Sequence, residues 1–529
     1  MALLNKEVSS INLPRSPFFW AGVVSLSLIG WAFASWYRLR QFKGPFSASF
    51  SYFFILRTGN SGRQGDAYGE VIEKYGDLAR IGPSVLITSN PELIRHMNSA
   101  RTRYRRADYY RALRMDPFHD SLFSLVDGEA HDKLKAKMSH GYGGKEVPTL
   151  EQDIDGQVSA LVNLLRTKYA RADSFQPADL ASLSQYFTID VLSKIAYGEE
   201  FGNLRTDSDI YAYVESSMEL IRLLVICAEI PFCRNIFMSK PMLKMFGPDH
   251  RDKLGMGKIL GISRELVSKR FAPDAPDELD MLGSFKRHGC TQLQCEGEIP
   301  FQIVAGSDTT AHAIRGTLLH LMSAPHTYKR LQGEIDAAIS EGAVSDPIKA
   351  SEAKQLPYLQ VINLCPTQFK IRKPLTCIFQ AVIYEGLRLS LPATLLCWKQ
   401  APPEGDTING RFIPGGTQIA VSVKGIMRNR EVFGDDASLF RPERWLNLDP
   451  AKKRYMTETT EMNFGHGRWG CSGKPVAFLE LNKIFVELLR NFDFQLVNPN
   501  RAVDFKLNIQ VHMEKGMWVH VIDRKAGKE

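Results

Sequence analysis

Residues 464–473 read FGHGRWGCSG, and this stretch decides the fold of the 529-residue chain. Cys471 stands among four glycines, which allow a loop to adopt positive φ angles and to approach a flat ligand closely. Apolar residues at helical spacing follow in 475–491. The cysteine therefore precedes a predicted helix N-terminus, whose positive field favours the thiolate form.

A thiolate in such a loop can be an axial ligand to haem iron, where it promotes cleavage of the O–O bond. The alternative is a free cysteine in a glycine-rich turn. At the residue frequencies of this chain, the pattern F-G-x-G-x-x-x-C-x-G arises by chance about twice in ten thousand chains. We therefore interpret Cys471 as the axial ligand of a haem iron.

The composition excludes several other classes of protein. Apolar residues make up 44% of the chain and charged residues 23%, which is typical of a folded globular protein. A net charge of +8 is small for this length and does not require nucleic acid. The eight cysteines include no C-x-x-C pair, so neither a disulfide scaffold nor a zinc site is predicted, and a reducing compartment fits best.

The N-terminal region contains one stretch that is long and apolar enough to cross a bilayer. Residues 16–37 carry no charge over 22 residues, and aromatic rings lie toward both ends. Basic residues follow at once, so the positive-inside rule places the C-terminal side in the cytosol. A cleaved secretory signal is the alternative, but no small-x-small cleavage site closes this long stretch. We expect a single-pass protein with four parts: a lumenal N-terminus at 1–15, a transmembrane anchor at 16–37, a linker at 38–50 and a catalytic domain at 51–529.

Helical periodicity dominates the rest of the sequence. It predicts helices over 153–170 and 180–197, and a third that begins at Pro91 after a capping pair. Short β-like runs predict a small hairpin within 78–88 and another small sheet within 407–423. Strands and helices do not alternate regularly, so the predicted fold class is mainly α with small β-sheets, and a Rossmann sheet is not expected.

Three further motifs precede the cysteine loop in a fixed order. They are AGSDTT at 305–310, EGLR at 385–388 and FRPERW at 440–445. As a set with the cysteine loop, they resemble the cytochrome P450 family of haem-thiolate monooxygenases over roughly residues 40–523. The sequence is most similar to that of fungal microsomal members, notably the pisatin-demethylase-like group.

The resemblance implies the cytochrome P450 fold behind one N-terminal transmembrane helix, with haem b as cofactor. It also implies dioxygen as co-substrate and electrons from NADPH–cytochrome P450 reductase. The expected location is the endoplasmic reticulum membrane, with the catalytic domain in the cytosol. The expected substrate is a lipophilic small molecule of fungal secondary metabolite biosynthesis. A basic stretch at 101–114 then has a haem or surface role, and no nucleic-acid partner is expected.

The family's second motif implies a structural role for three charged residues. Glu385 and Arg388 lie on one face of a helix because they are three positions apart. Together with Arg444 they are expected to form a buried ion network that fixes the cysteine loop. Breaking such a buried pair is strongly destabilising.

The central-helix motif is expected to carry the chemistry. Gly306 would leave room for dioxygen, and the catalytic pair Asp308 and Thr309 would relay protons. A haem-thiolate isomerase or dehydratase that needs no reductase is an alternative, but the intact Asp308-Thr309 pair argues against it. A non-catalytic membrane protein that lacks haem is a further alternative.

Haem propionates need cationic or N–H donors, and here the sequence departs from the family pattern. Many relatives carry Arg or His two residues before the cysteine, where this chain has Trp469. The W-x-x-x-R helix of many relatives is replaced by HDKLK, and Lys399 is a weaker candidate. We expect the haem to contact two segments through Phe464, Arg468, Trp469, His131 and Lys135.

Twenty residues stand directly before the EGLR helix, at a point where relatives of the family have no insertion. Residues 361–380 contain no acid, three bases, two cysteines and two prolines. The first residue is valine, whose codons begin GT, and the last is glutamine, one of whose codons is CAG. Twenty codons also keep the reading frame, so we interpret 361–380 as a retained intron in the gene model. A genuine surface loop is the alternative, since proteins tolerate such insertions.

Overall fold

The computed structural model of the protein describes six stretches of the chain, which are 16–99, 101–116, 119–171, 176–355, 379–508 and 512–526. The predicted lumenal segment 1–15 and most of the predicted insertion, 361–378, lie outside the described residues. Helices account for most of what is described. In chain order they are α1 Pro17–Arg38, α2 Phe53–Asn60, α3 Gln64–Tyr75, α4 Pro91–Asn98, α5 Gly128–Tyr142, α6 Leu150–Leu164, α7 Leu180–Tyr197, α8 Asn203–Thr206, α9 Tyr213–Glu229, α10 Pro231–Phe237, α11 Lys240–Phe246, α12 Gly255–Arg270, α13 Met281–Arg287, α14 Gln292–Met322, α15 Pro325–Ser340, α16 Ala350–Gln355, α17 Phe379–Leu389, α18 Val423–Met427, α19 Arg430–Phe433, α20 Pro450–Thr460 and α21 Lys474–Asn491.

The strands are short and form small sheets at the edges of the helical body. In chain order they are β1 Leu78–Gly82, β2 Val85–Thr88, β3 Arg105–Arg106, β4 Ala178–Asp179, β5 Leu395–Gln400, β6 Asp406–Ile408, β7 Arg411–Ile413, β8 Gln418–Ser422, β9 Phe492–Leu496, β10 Phe505–Asn508, β11 His512–Lys515 and β12 Trp518–Asp523. The largest sheet has the order β1-β2-β8-β5-β3, and only its β2–β8 pair is parallel. The predicted class, mainly α with small β-sheets, is confirmed.

Helix α14 is the central element of the helical body. It is 31 residues long, which corresponds to about 46 Å. Thr291 and Gln294 form a capping box, whose reciprocal hydrogen bonds between side chain and backbone fix the start of the helix. It packs against α7, which is buried on nearly all sides. A second apolar core lies around the five-stranded sheet, so the helices and the sheet each have their own hydrophobic interior.

The predicted elements are close to those observed. The hairpin within 78–88 and the helices at Pro91 and 180–197 are confirmed. The helix expected over 153–170 instead starts at Leu150 and changes to a π-helical turn at 165–169. Apolar periodicity does not distinguish these two helix types, because one π turn adds a single residue to the spacing.

Helix α1 is, within the described residues, the one helix long and apolar enough to cross a membrane. None of its residues is buried. It ends at Arg38, as expected for a transmembrane segment followed by basic residues. This helix is compatible with a membrane anchor.

The segment after α1 is docked on the sheet, although we expected residues 38–50 to be a linker. Arg80 in β1 is almost completely buried, and its guanidinium donates hydrogen bonds to backbone carbonyls. Its partners include Ser35 at 2.8 Å and Trp36 at 3.3 Å on α1, and Ser49 at 2.9 Å. One buried arginine therefore fixes the end of α1 to the sheet.

Candidate active site

The cysteine loop is closed by its own backbone and shaped by two glycines. The amide of Cys471 donates a hydrogen bond of 2.6 Å to the carbonyl of Phe464. Gly465 and Gly467 have φ angles of +77° and +60°, which only glycine adopts without strain. A Cβ at Gly467 would also lie 2.5 Å from the carbonyl oxygen of Asn98. The positive φ angles predicted for this loop are confirmed.

The Cys471 thiol lies just before the N-terminus of α21. Solvent reaches the residue, yet enough protein surrounds it that burial raises the pKa of the thiol. The amides of Gly473 and Lys474 and the nearby ammonium groups lower the pKa, as expected for a helix N-terminus, but burial outweighs them. The fold alone therefore does not favour the thiolate, contrary to our expectation. A coordinated metal ion would deprotonate such a thiol, so the site suits a ligand that brings one.

Trp469 lies at the centre of a cluster that we call the cationic edge, together with Arg106 and Lys399. The Arg106 guanidinium carbon is 4.5 Å and the Lys399 ammonium 5.0 Å from the indole centroid. Both cations are nearly buried, and they are cross-strand partners on β3 and β5. Two buried like charges that converge on one place favour an anionic ligand. The two propionates of a haem fit this requirement.

Three expected haem contacts have other partners in the structure. Arg468 is half-exposed and pairs with Asp132 at 3.1 Å. His131 is buried against Trp469, and burial lowers its pKa to about 4, so it is neutral near pH 7. Lys135 donates hydrogen bonds of 2.8 Å to the backbone carbonyls of Arg468 and Gly470. These residues support the cysteine loop and do not form its cationic edge.

Sequence reasoning named Arg106 only as part of the basic stretch and ranked Lys399 low. The available signal was the position of Arg106 in an alternating segment of arginines and tyrosines. Nothing in the sequence shows that Arg106 pairs with a residue almost three hundred positions away. Strand pairing over that distance is not visible in periodicity.

Glu385 is the centre of a fully buried ion network. Arg388 donates to both of its carboxylate oxygens, at 2.7 and 2.9 Å. Arg444 donates at 2.8 Å, and the indole of Trp445 and the amide of Arg441 donate at 2.9 Å each. Burial alone would raise the pKa of Glu385, but Arg388 and the other donors hold it below its usual value. The structure thus brings the three charged residues of the predicted network together.

Helix α17 connects this network to the cysteine loop. The Asn463 side chain donates a hydrogen bond of 2.8 Å to the carbonyl of Leu387. Tyr384 donates to Glu461 at 3.1 Å, and Glu461 pairs with Lys474 at 2.8 Å. Lys474 begins α21 directly after the loop, so both ends of the loop are tied to α17.

The middle of α14 carries the predicted catalytic pair. Thr309 donates a hydrogen bond of 2.8 Å to the carbonyl of Ala305. Asp308 is buried and accepts a hydrogen bond from Gln185 on α7. Burial raises the pKa of Asp308 to about 6, although Arg315 and Gln185 lower it. A carboxyl group with this pKa can exchange its proton near neutral pH.

Gly306 lies on the face of α14 that packs against α7. A Cβ at this position would lie 2.7 Å from Cδ1 of Leu192. The missing side chain therefore allows the two helices to approach closely. This geometry accounts for a glycine at position 306 through helix packing, and the expected space for dioxygen stays a prediction.

An apolar, aromatic wall lies next to the cationic edge. Phe123 stacks on Phe301 of α14 with the ring centroids 4.7 Å apart, and Tyr110 meets Phe123 edge-on at 5.3 Å. The Arg106 guanidinium lies 3.7 Å from the Tyr110 ring centroid. Aromatic and apolar walls with few polar groups are typical of sites for lipophilic small molecules.

A helical fold that presents a cysteine on a glycine loop before a helix, beside buried cations, has the features of a haem-thiolate protein. The sequence model of the family named Cytochrome P450 matches residues 45–363 and 375–517. The chain is 46% identical over 496 residues to "Cytochrome P450 monooxygenase ABA1" of Pyricularia oryzae, which covers 92% of this chain and 93% of the relative. It is 41% identical over 492 residues to "Cytochrome P450 monooxygenase aba1" of Botryotinia fuckeliana, with 92% of both covered. It is 36% identical over 485 residues to "Cytochrome P450 monooxygenase abl1" of Leptosphaeria maculans, with 89% of this chain and 82% of the relative covered.

The chain therefore belongs to the cytochrome P450 family, and it is a haem-thiolate monooxygenase. Membership implies haem ligated by a cysteine thiolate, the use of dioxygen and a redox partner, and a lipophilic substrate. The family match leaves out residues 364–374, which fall within the predicted insertion.

Proposed function

We propose that Cys471 is the thiolate ligand of a haem b, and that this enzyme oxidises a lipophilic small molecule of fungal secondary metabolism. The geometry of the cysteine loop carries the proposal. It holds the cysteine at a helix N-terminus, two residues after Trp469, which is the centre of the cationic edge. When bound, the haem supplies the activation of dioxygen.

The chain's own residues have three tasks in this proposal. Arg106, Lys399 and the Trp469 indole N–H hold the propionates, because they are the donors gathered at one edge of the loop. Asp308 and Thr309 hold and move a proton on α14. The ion network Glu385, Arg388 and Arg444 keeps the loop in place, with Phe464 closing it through its carbonyl.

The proposal places the enzyme on the endoplasmic reticulum membrane, with α1 as a single-pass anchor and the catalytic domain in the cytosol. Support comes from the exposed apolar surface of α1 and from the basic residues that follow it. Electrons would come from NADPH–cytochrome P450 reductase, which shares this membrane. Removal of reductase or of oxygen should abolish turnover, whereas an isomerase or dehydratase would continue.

The reduced carbon monoxide difference spectrum tests the ligand assignment. The wild type should show a strongly red-shifted Soret band, because a thiolate ligand donates electron density to the iron. Cys471→Ser should lose this band. Cys233→Ser, at a half-buried cysteine on α10, is the matched control and should keep it. A red-shifted band in Cys471→Ser would contradict the assignment.

The same spectrum tests the proposed insertion when the protein is expressed with and without residues 361–380. A band that is stronger in the shortened chain would support a retained intron, because the segment directly precedes the helix that holds Glu385. Sequencing of mature transcripts gives the independent check. Reads that cover 361–380 in all messages would contradict the interpretation.

A further inference from the structure

Two cysteines lie on either side of the capping box that begins α14. Cys290 directly precedes the N-cap residue Thr291, and Cys295 is the fourth residue of the helix. The Gln294 amide donates to the Thr291 side chain at 3.2 Å, and the Thr291 amide donates to the Gln294 side chain at 3.0 Å. Side chains before the N-cap and at the fourth helical position pack against each other in such a turn. The two thiols therefore face each other across the first turn of α14.

The structure brings these two thiols into contact close to the protein surface. The Cys295 thiol donates a hydrogen bond to the sulfur of Cys290. Cys290 is 4% exposed and Cys295 is fully buried, and both belong to the same apolar core. The residues on either side of Cys290, Gly289 and Thr291, are exposed. A small local opening is therefore enough for a reagent of the size of hydrogen peroxide to reach Cys290.

The two thiols differ in their electrostatic surroundings. Lys137 on α5 donates a hydrogen bond of 2.6 Å to the backbone carbonyl of the residue before Cys290, so its ammonium group lies close to that thiol. The hydrogen bond from Cys295 and the charge of Lys137 lower the pKa of Cys290, although burial and Glu298 oppose them. The same hydrogen bond, burial and the carboxylates of Glu298 and Glu296 raise the pKa of Cys295. Cys290 is thus the thiol that ionises and reacts first, and Cys295 is the thiol that stays protonated beside it.

We propose that Cys290 and Cys295 form a peroxide-responsive thiol pair, which hydrogen peroxide converts to a disulfide across the first turn of α14. The pair needs neither haem nor substrate, so the inference goes beyond the proposed function and does not rest on it. In the reducing compartment that the cysteine content favours, such a bond is transient, and a thiol of the glutathione class reduces it again.

The oxidation takes place in two balanced steps. The Cys290 thiolate attacks one oxygen of hydrogen peroxide, so that an S–O bond forms, the O–O bond breaks and, with one proton, water leaves. This step oxidises Cys290 to the sulfenic acid and reduces the peroxide. The Cys295 sulfur then attacks the sulfenic sulfur, so that the S–S bond forms, the S–O bond breaks and the hydroxyl leaves as water with the Cys295 proton. Two thiols and one hydrogen peroxide thus give one disulfide and two molecules of water.

The bond would restrain the start of the central helix. It would close a covalent ring around 291–294, the residues that the capping box already holds together. Amide hydrogen exchange within 291–295 should therefore slow at least about threefold in the oxidised enzyme, because opening of this turn then needs more than the loss of two hydrogen bonds. Equal exchange in the two forms would contradict this restraint.

Mass spectrometry of the full-length, haem-loaded enzyme tests the pair directly. The enzyme is treated with hydrogen peroxide, its free thiols are blocked with N-ethylmaleimide, and it is unfolded and digested with trypsin without reductant. Both cysteines fall in one tryptic peptide, 288–315, which lies between Arg287 and the cleavage site after Arg315. We expect this peptide to carry no maleimide and to be lighter by two hydrogen atoms. Dithiothreitol before blocking should restore two labelled thiols.

Two cysteine variants separate the steps. Cys295→Ser should stop the reaction at the sulfenic acid of Cys290, which dimedone labels. Cys290→Ser should slow the oxidation of Cys295 at least about tenfold, because the reacting thiolate is missing. Cys233→Ser, at a half-buried cysteine on α10, is the matched control and should form the disulfide at the wild-type rate.

A pair of lysine variants tests the electrostatic part of the inference. Lys137→Met should slow disulfide formation about threefold, because the thiolate of Cys290 loses a nearby positive charge. Lys133→Met is the control, since Lys133 is an exposed lysine one turn earlier on α5 that pairs with Glu129. Equal rates in the two variants would remove Lys137 from the site.

The results that would overturn the inference are distinct from those that concern Cys471. Two maleimide labels on 288–315 after peroxide treatment of the folded wild type would overturn the thiol pair. A sulfinic acid at Cys290 with Cys295 still labelled would also overturn it. Either result leaves the proposed function standing, whereas absence of the red-shifted carbon monoxide band in the untreated wild type would overturn the proposed function alone.

Discussion

Glu385 accepts hydrogen bonds from two arginines, an indole and a backbone amide while it is wholly buried. A single residue therefore holds α17 against the segment that precedes the cysteine loop. Such a residue contributes to stability less through the attraction itself than because its removal leaves buried charged partners without it. Without Glu385 the buried Arg388 guanidinium would lose its counter-charge and Arg444 would keep only Asp436, which would be strongly destabilising.

Glu385→Gln should therefore lower the free energy of unfolding by about 3–5 kcal/mol. The measurement is urea unfolding followed through the red-shifted carbon monoxide band. Glu431→Gln, at an exposed carboxylate of α19, is the control and should change stability by less than about 0.5 kcal/mol. Equal stabilities of the two variants would show that the network is not needed to hold the loop.

Arg106→Gln should accelerate haem loss by about 10- to 100-fold, because a hydrogen bond to a charged group contributes roughly 1.5–3 kcal/mol. Haem transfer to an excess of apomyoglobin measures the rate. The neighbouring Arg105→Gln is the matched control, since Arg105 is exposed on the other face of the same short strand. Indistinguishable transfer rates for the two variants would remove Arg106 from the propionate site.

At the scale of elements, the cysteine loop depends on backbone shape as much as on side chains. Gly467→Ala should destabilise the loop by about 1–3 kcal/mol, because it combines a positive φ with a close contact to a backbone oxygen. Gly473→Ala should be nearly neutral, since its φ is −79° and the nearest atom to a Cβ is 3.9 Å away. The fraction of protein with a red-shifted band after mild heating compares the two. A larger loss in Gly473→Ala would contradict this account of the loop.

The sequence was sufficient to predict individual elements but not the contacts between distant ones. Local signals were sufficient for the hairpin at 78–88, the capped helix at Pro91 and the glycine loop, because capping, turn chemistry and periodicity act over a few residues. They could not locate the cationic edge, because Arg106 and Lys399 meet only through the pairing of β3 with β5. They also could not show that Gly306 meets Leu192, since which face of α14 meets α7 depends on packing.

At the scale of the whole molecule, helix α1 and the catalytic body are joined through Arg80. Arg80→Met would remove its hydrogen bonds to the α1 carbonyls and leave those carbonyls without their donor. The segment 38–43 should then become at least about tenfold more sensitive to trypsin, because local opening controls proteolysis. Arg63→Met, at the exposed residue that precedes α3, serves as the control and should be cut at the wild-type rate. Equal cleavage rates would mean that Arg80 does not hold the end of α1.

With α1 as the proposed membrane anchor, its docking on the sheet has a consequence in membranes of different thickness. The 22 residues of α1 are about 33 Å long, slightly more than an average hydrocarbon core. In a thinner bilayer such a helix tilts to keep its apolar surface covered. Because Arg80 joins the end of the helix to the sheet, the catalytic body must incline by a similar angle. Lipid composition would then set how deeply the body lies in the headgroup layer, and so how readily a lipophilic substrate passes from the bilayer into the enzyme.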